Sequence, residues 1–163
     1  MYKYCPYCSK PLIPPQGDSY PHQVCPACHT TLYRNPVVGV AVILMRAKKI
    51  LLVQRAGTYA DQWCIPCGYV DWDEDVRMAA AREMKEETGL DVEIGPVFTV
   101  HSNFHDPQRQ TVGIWFWGKE IGGSLKPGSD AKKAHFFSLN EIPENMAFPT
   151  DYLILQELST NIS

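Results

Sequence analysis

Gly68-Tyr69-Val70-Asp71-Trp72-Asp73-Glu74-Asp75-Val76-Arg77-Met78-Ala79-Ala80-Ala81-Arg82-Glu83-Met84-Lys85-Glu86-Glu87-Thr88-Gly89-Leu90 is the stretch on which the reading of this chain turns. Residues 76–88 read as a helix, with Asp75 as an N-cap oxygen and Gly89 as the stop. Across residues 71–91, eight carboxylates (Asp71, Asp73, Glu74, Asp75, Glu83, Glu86, Glu87, Asp91) stand against three cations (Arg77, Arg82, Lys85), in a chain whose net charge is only -3. A solvated acidic face is the commoner reason for such a run. Helical geometry argues for something else. At about 100° per residue, Glu83, Glu86 and Glu87 share one sector, beside Ala80 and Met84 on the expected core side. Glu83 and Glu87 repel each other at i,i+4, and Arg82 can pair with Glu86 but cannot neutralise three acids. A hard divalent cation can: magnesium prefers carboxylate oxygens and bridges readily to phosphates.

Outward from this segment the pattern is that of strands with a few helices. After Asn35-Pro36, the apolar run 37–45 reads as a buried strand, Lys48-Lys49 as a polar turn, and residues 50–54 as the returning strand of a hairpin. Residues 63–68 are strand-like, and 92–100, 111–117 and 135–137 are further strand candidates. Ser138-Leu139-Asn140-Glu141 fits a capping box for a short helix limited by Pro143, and Thr150 or Asp151 is expected to cap a last helix through Leu158. This order of elements predicts an α/β layer fold around a mixed sheet.

Residues 1–35 are different. They hold four of the six cysteines, the prolines Pro6, Pro11, Pro14, Pro15, Pro21 and Pro26, and few aliphatics, too little to build a core unaided. Cys5-Pro6-Tyr7-Cys8 and Cys25-Pro26-Ala27-Cys28 are two Cys-x-x-Cys knuckles sixteen residues apart, the signature of a tetrahedral zinc site with four cysteine ligands. Binding the ion would supply the folding energy that the segment lacks. Lys3, Lys10 and Arg34 against Asp18 make too small a cationic excess to track phosphates, and the net charge also argues against a nucleic-acid partner. A structural role fits better: covering one end of the following domain, or helping two copies pair as a homodimer. No secretory signal is visible and the longest apolar run is too short to cross a bilayer, so a cytoplasmic setting without a membrane partner is expected.

Gly68, then Glu74 after five residues, then residues 82–90 after seven more, resemble the complete box of the Nudix hydrolases, with all nine specified positions in agreement over 23 residues. The resemblance implies an α/β/α sandwich with a mixed sheet over residues 36–163, preceded by the zinc ribbon of residues 1–35. It implies metal-dependent hydrolysis of the diphosphate bond of a nucleoside diphosphate linked to another moiety, by attack of water on phosphorus. Position by position it makes Glu83, Glu86 and Glu87 ligands of magnesium or manganese, with the Gly68 carbonyl adding an oxygen. Arg82 and Glu74 become the pair that orients the helix and the glutamates. Residues 126–130 and 136–143 resemble the family's C-terminal stretch. Asp130 stands there where many members have a glutamate that contacts metal or acts as base, although an ordinary loop aspartate fits the residues equally well. Two positions depart from the pattern: Cys67, where glycine or alanine is usual, and Asp73, where glycine is usual. Cys64 and Cys67 form a third Cys-x-x-Cys, read as two small apolar side chains entering the core.

Ribbon, Asn35-Pro36 and box together resemble the subgroup that includes pyrophosphatases of ADP-ribose, FAD or NADH. The motif rich in proline, serine and phenylalanine that marks the NADH enzymes is not found between Leu90 and Arg109, which favours ADP-ribose or FAD over NADH as the small-molecule nucleotide partner, with NADH or NAD-capped RNA as the alternative. A zinc-ribbon protein that senses nucleotides without cutting them would be expected to lack a box glutamate, and none is lost. Tyr69, Trp72, Phe104, Trp115 and Trp117 are candidates to stack on a base, although core packing is the commoner role for any one of them. Residues 101–110, with His105, Asp106 and Arg109, form a candidate specificity loop.

Overall fold

The computed structural model describes residues 2–13 and 22–161, so Pro14, Pro15, Asp18 and Pro21 lie outside it. The chain divides into two compact units, Met1–Pro36 and Val37–Ser163.

In the first unit each cysteine knuckle closes the same way. Ser9 and Lys10 return to Cys5 through Ser9 N–H to Cys5 O and Cys5 N–H to Lys10 O, both 2.9 Å; His29 and Thr30 repeat the two bonds on Cys25 at 2.9 Å. Ser9 and His29 each turn through φ 60°, the left-handed conformation that lets a chain fold back so tightly. Strands β1 (His22–Val24) and β2 (Thr31–Tyr33) pair antiparallel. Cys5, Cys25, Leu12 and Leu32 form the entire buried cluster of this unit among the described residues.

The second unit is one seven-stranded mixed sheet with a helix on each face. Strand β3 (Val37–Arg46) turns at Ala47-Lys48, both at positive φ as in a two-residue hairpin, into β4 (Lys49–Arg55). The two strands pair only next to the turn. Beyond it they part. β3 takes β6 (Cys67–Tyr69) antiparallel and β8 (Thr111–Gly123) parallel, whereas β4 takes β5 (Trp63–Cys64) and β9 (Ala131–Ser138). β7 (Leu90–Asn103) completes the sheet against β8. Alternation along β3 sorts the core into two layers. Val40, Val42 and Leu44 pack with Ala79, Ala80 and Met84 of α1 (Val76–Thr88), while Ala41 and Ile43 pack with Ile154, Leu155 and Leu158 of α2 (Pro149–Asn161). The result is an α/β/α sandwich.

Several local expectations need correction. Val37 and Val38 are exposed, so the apolar run is buried only from Val40. The 63–68 segment is two strands separated by a bend at Ile65-Pro66. Ser138 to Glu141 is a hydrogen-bonded turn (Glu141 N–H to Ser138 O, 2.9 Å) and not the start of a helix, since Pro143 leaves no room for a second turn. α2 begins at Pro149, so Thr150 and Asp151 lie inside its first turn and neither is its cap.

Candidate active site

Helix α1 is fixed at both ends by the residues that announce it. Asp75 accepts hydrogen bonds from the N–H groups of Arg77 (2.9 Å) and Met78 (3.4 Å), and Gly89, at φ 72°, returns its N–H to Lys85 O. With the register so set and Met84 turned into the core, the three glutamates of the last two turns fall at graded depths. Glu87 is buried (2% exposed), Glu83 is half-buried and Glu86 is exposed.

Arg82 organises this edge. Its Nε and Nη2 grip both oxygens of Glu74 at 2.8 and 2.9 Å, its Nη2 also donates to Tyr69 O (3.1 Å), and its Nη1 donates to Glu83 Oε1 (2.7 Å). Glu86 Oε2 lies 3.6 Å from the same Nη1. The bidentate Arg82 grip holds the Glu74 carboxyl down at about 2. Burial raises Glu83 against the opposing pull of Arg82. Burial pushes Glu87 up to about 8, although its Oε2 accepts the Cys67 N–H at 2.9 Å; the Asp130 charge adds to the rise. The turn before the helix contains the second departure from the box pattern, and Asp73 there adopts φ 65°. A left-handed residue is needed at that point, and aspartate is one of the few non-glycine residues that tolerate it.

Glu83, Glu86, Gly68 and Asp130 line a cavity of about 520 Å³. Gly68 is bare because its neighbour requires it: a Cβ there would lie 2.0 Å from Glu83 Cδ. Asp130 is held from the other side by Arg55 Nη2 at 3.1 Å. Aromatic rings line the same cavity, and the Arg55 guanidinium that holds Asp130 lies 5.4 Å from the Phe148 ring centre. Tyr59, His105 and Phe148 stand with ring centres 5.5 to 5.9 Å apart, and the Tyr59 hydroxyl meets His105 Nε2 at 3.1 Å. The Arg109 guanidinium lies 5.8 Å over the Tyr69 ring on the same cavity wall. Trp115 reaches the cavity too, its indole beside the Asp151 carboxyl.

Of the aromatics singled out in the sequence, only Tyr69 and Trp115 line this cavity. Trp72 is 93% exposed, Phe104 is exposed, and Trp117 packs edge-on against Phe98. His105, Asp106 and Arg109 do face the cavity. Sequence reasoning missed Arg55, Tyr59, Phe148 and Asp151, which come from a strand end, a loop and the start of α2; no local motif marks them. Cys64 is fully buried beside Val53 and Ala147, and Cys67 packs against the same cluster.

The donor sets differ in kind. The thiols of Cys5, Cys8, Cys25 and Cys28 lie within 4.8 Å of one another, with Cys5–Cys28 and Cys8–Cys25 sulfurs 3.7 and 3.6 Å apart. Four sulfurs around an ion with bonds of about 2.3 Å would be about 3.8 Å apart, so these residues fit a tetrahedral soft-ligand site. Among the described residues no acidic group is gathered so tightly. Glu83 and Glu86 are turned onto Arg82 and Glu87 onto the Cys67 amide, so a shared ion requires the first two to rotate off Nη1. Their oxygens, with the Gly68 carbonyl, are the hard donors that suit magnesium or manganese.

Residues 35–158 match the family model of the NUDIX domain. The chain belongs to the Nudix family. It is therefore a hydrolase of nucleoside diphosphate derivatives. It is 39% identical over 125 residues to the ADP-ribose pyrophosphatase of Methanocaldococcus jannaschii, covering 76% of this chain and 73% of that protein. It is 24% identical to the NAD-capped RNA hydrolase NudC of Stutzerimonas stutzeri, over 88% of this chain but only 50% of NudC. A Nudix hydrolase structure from Nitrosomonas europaea superposes with a TM-score of 0.84 at 31% identity, covering 99% of this chain and 93% of the other.

Proposed function

We propose that this Nudix hydrolase cleaves the diphosphate of a nucleoside diphosphate joined to a second group, with ADP-ribose the first candidate and FAD the next. The observation that carries the reading is a single cavity lined by both carboxylates and aromatic rings. A diphosphate flanked by a ring system needs both. Similarity to an ADP-ribose pyrophosphatase over three quarters of the chain supports the choice of ADP-ribose. Similarity to NudC favours a second reading, NADH or NAD-capped RNA. No box glutamate is missing, which speaks against a purely sensing role.

Glu83, Glu86 and Glu87 are assigned to holding magnesium or manganese, with the Gly68 carbonyl and Asp130 beside them. When bound, such cations screen the diphosphate charge and make water a better nucleophile. The chain's own part is positional. Arg82 and Glu74 lock the helix edge to Tyr69 O, the Cys67 N–H aims Glu87, and Arg55 steadies Asp130 at the rim. Glu83 or Asp130 can take the proton of the attacking water, being carboxylates that share the cavity. Tyr59, His105 and Phe148 offer flat faces to a base or a nicotinamide-like ring. Cys5, Cys8, Cys25 and Cys28 are assigned a structural zinc ion.

A turnover screen with magnesium or manganese over ADP-ribose, FAD, NADH, NAD-capped RNA and nucleoside triphosphates tests the proposal. Highest kcat/KM on ADP-ribose or FAD supports it. Preference for NADH or the capped RNA favours the second reading, and metal binding without any hydrolysis refutes both.

A further inference from the structure

Asp151 is the third residue of α2, yet it is only 2% exposed. A carboxylate in the first turn of a helix ordinarily serves its own helix, either by facing solvent near the free N–H groups or by capping one of them. This one points elsewhere. Its Oδ2 accepts the backbone N–H of Ile65 at 3.1 Å, 86 residues back along the chain.

Ile65 begins the Ile65-Pro66 bend between β5 and β6, and the residues that follow are tied down one after another. Pro66 O accepts the Val42 N–H of the central strand at 3.0 Å. The Cys67 N–H donates to Glu87 Oε2 at 2.9 Å, and Gly68 meets the Glu83 carboxylate. The bend therefore joins α2 to both of the deeper glutamates of α1. Burying a carboxyl group is costly where an apolar residue would fill the space. Its oxygen is justified by the otherwise unpaired amide that it meets.

We propose that Asp151 is a positioning residue of the acidic seat: by holding the Ile65 N–H it sets the β5–β6 bend so that the Cys67 amide reaches Glu87 and Gly68 lies against Glu83. This rests on the reading of Glu83 and Glu87 as cation ligands. Residues that orient a ligand from behind typically change metal affinity or activity by 10- to 100-fold when removed.

The test compares Asp151→Ser, whose oxygen falls short of Ile65, with Asp151→Asn, which keeps an acceptor at the same reach. Mn2+ affinity is measured by calorimetry without nucleotide, alongside kcat, KM and Tm. The serine variant is expected to bind Mn2+ roughly 10- to 100-fold more weakly and to lose kcat by a similar factor, with KM within about threefold of wild type. Asparagine restores both to within about fivefold. Should the serine variant not fold, Asp151→Glu replaces it: the charge is kept, the oxygen is moved by a methylene, and the same losses follow. A variant that loses Tm but keeps Mn2+ affinity and kcat overturns the proposal, as does an equal rise in KM for both variants with Mn2+ binding intact. If wild-type protein binds Mn2+ but hydrolyses no nucleotide, the proposed function fails while the Mn2+ comparison still decides the role of Asp151.

Discussion

Replacing Gly68 by alanine separates the chemistry of the site from the stability of the fold. The new Cβ would stand 2.0 Å from Glu83 Cδ and 2.1 and 2.3 Å from its oxygens, where real Cβ contacts do not fall below 3.0 Å. The Glu83 carboxylate must retreat by about 1 Å or more, breaking its 2.7 Å bond from Arg82. Little else needs to move. The carboxylate is the free end of a flexible side chain, and Gly68 does not have the positive φ that would exclude alanine. Loss of a partly exposed ion pair costs up to about 1 kcal/mol. The stiffer unfolded chain returns about 0.4–1 kcal/mol, so the stability change stays within about 1 kcal/mol and Tm within about 4 °C. Activity is another matter, because a misplacement of about 1 Å at a reacting centre can cost about 100-fold. The assay is steady-state hydrolysis of the best nucleotide at saturating Mg2+, with Mn2+ calorimetry and thermal melts on the same preparations. A Gly68→Ala protein that turns over within about threefold of wild type, with unchanged Mn2+ affinity, would refute the assignment of Glu83 to the seat.

Glu86→Gln and Glu87→Gln are each expected to lower kcat by about 100-fold or more, and near-wild-type turnover in either purified variant contradicts the placement. Cys25→Ser, at a buried position of the thiol cluster, is expected to abolish zinc binding as read by metal analysis and to open residues 2–13 and 22–36 to limited proteolysis; a zinc-loaded variant in which these segments stay protease-resistant speaks against the four-thiol site. The pH dependence of stability offers a check on Asp151. Burial pushes its carboxyl from 3.8 to about 7 in the folded chain, against the Ile65 N–H that favours the anion. The folded state then holds the proton more tightly than the unfolded one, so this group lowers stability as pH rises from about 4 to about 7 and contributes nothing below that window. Asp151→Asn removes a penalty on the order of 4 kcal/mol at most. Its gain over wild type in urea unfolding should grow across that window, and a difference independent of pH would count against a buried, titrating carboxyl.

Much of the site could be read without the fold because its organising devices are local. Asp75 and Gly89 cap a helix through bonds that span no more than four residues, and the rotation per residue alone puts Glu83, Glu86 and Glu87 on one sector. The cysteine knuckles close on themselves within five residues, which is why their spacing announces them. Where the reading failed, the cause was a distant partner in one case and a nearby proline in the other. Asp151 suits a cap by composition, but its oxygen is claimed by Ile65, and Ser138-Glu141 has the letters of a capping box without the chain length for a helix.

Sequence alone singled out the residues proposed to carry the chemistry: the glutamates and their arginine, the four N-terminal thiols, and Gly68 for its carbonyl. Their number and spacing follow from bonds and side-chain directions internal to one helix or one knuckle. Tertiary structure decided what each is worth. Glu87 is buried and Glu86 is exposed because the bend that meets Glu87 lies 20 residues away, and that bend is held in turn by a residue 86 positions further on. Desolvation depends on which surfaces come together, and only the closing of the sheet between α1 and α2 brings these segments into contact.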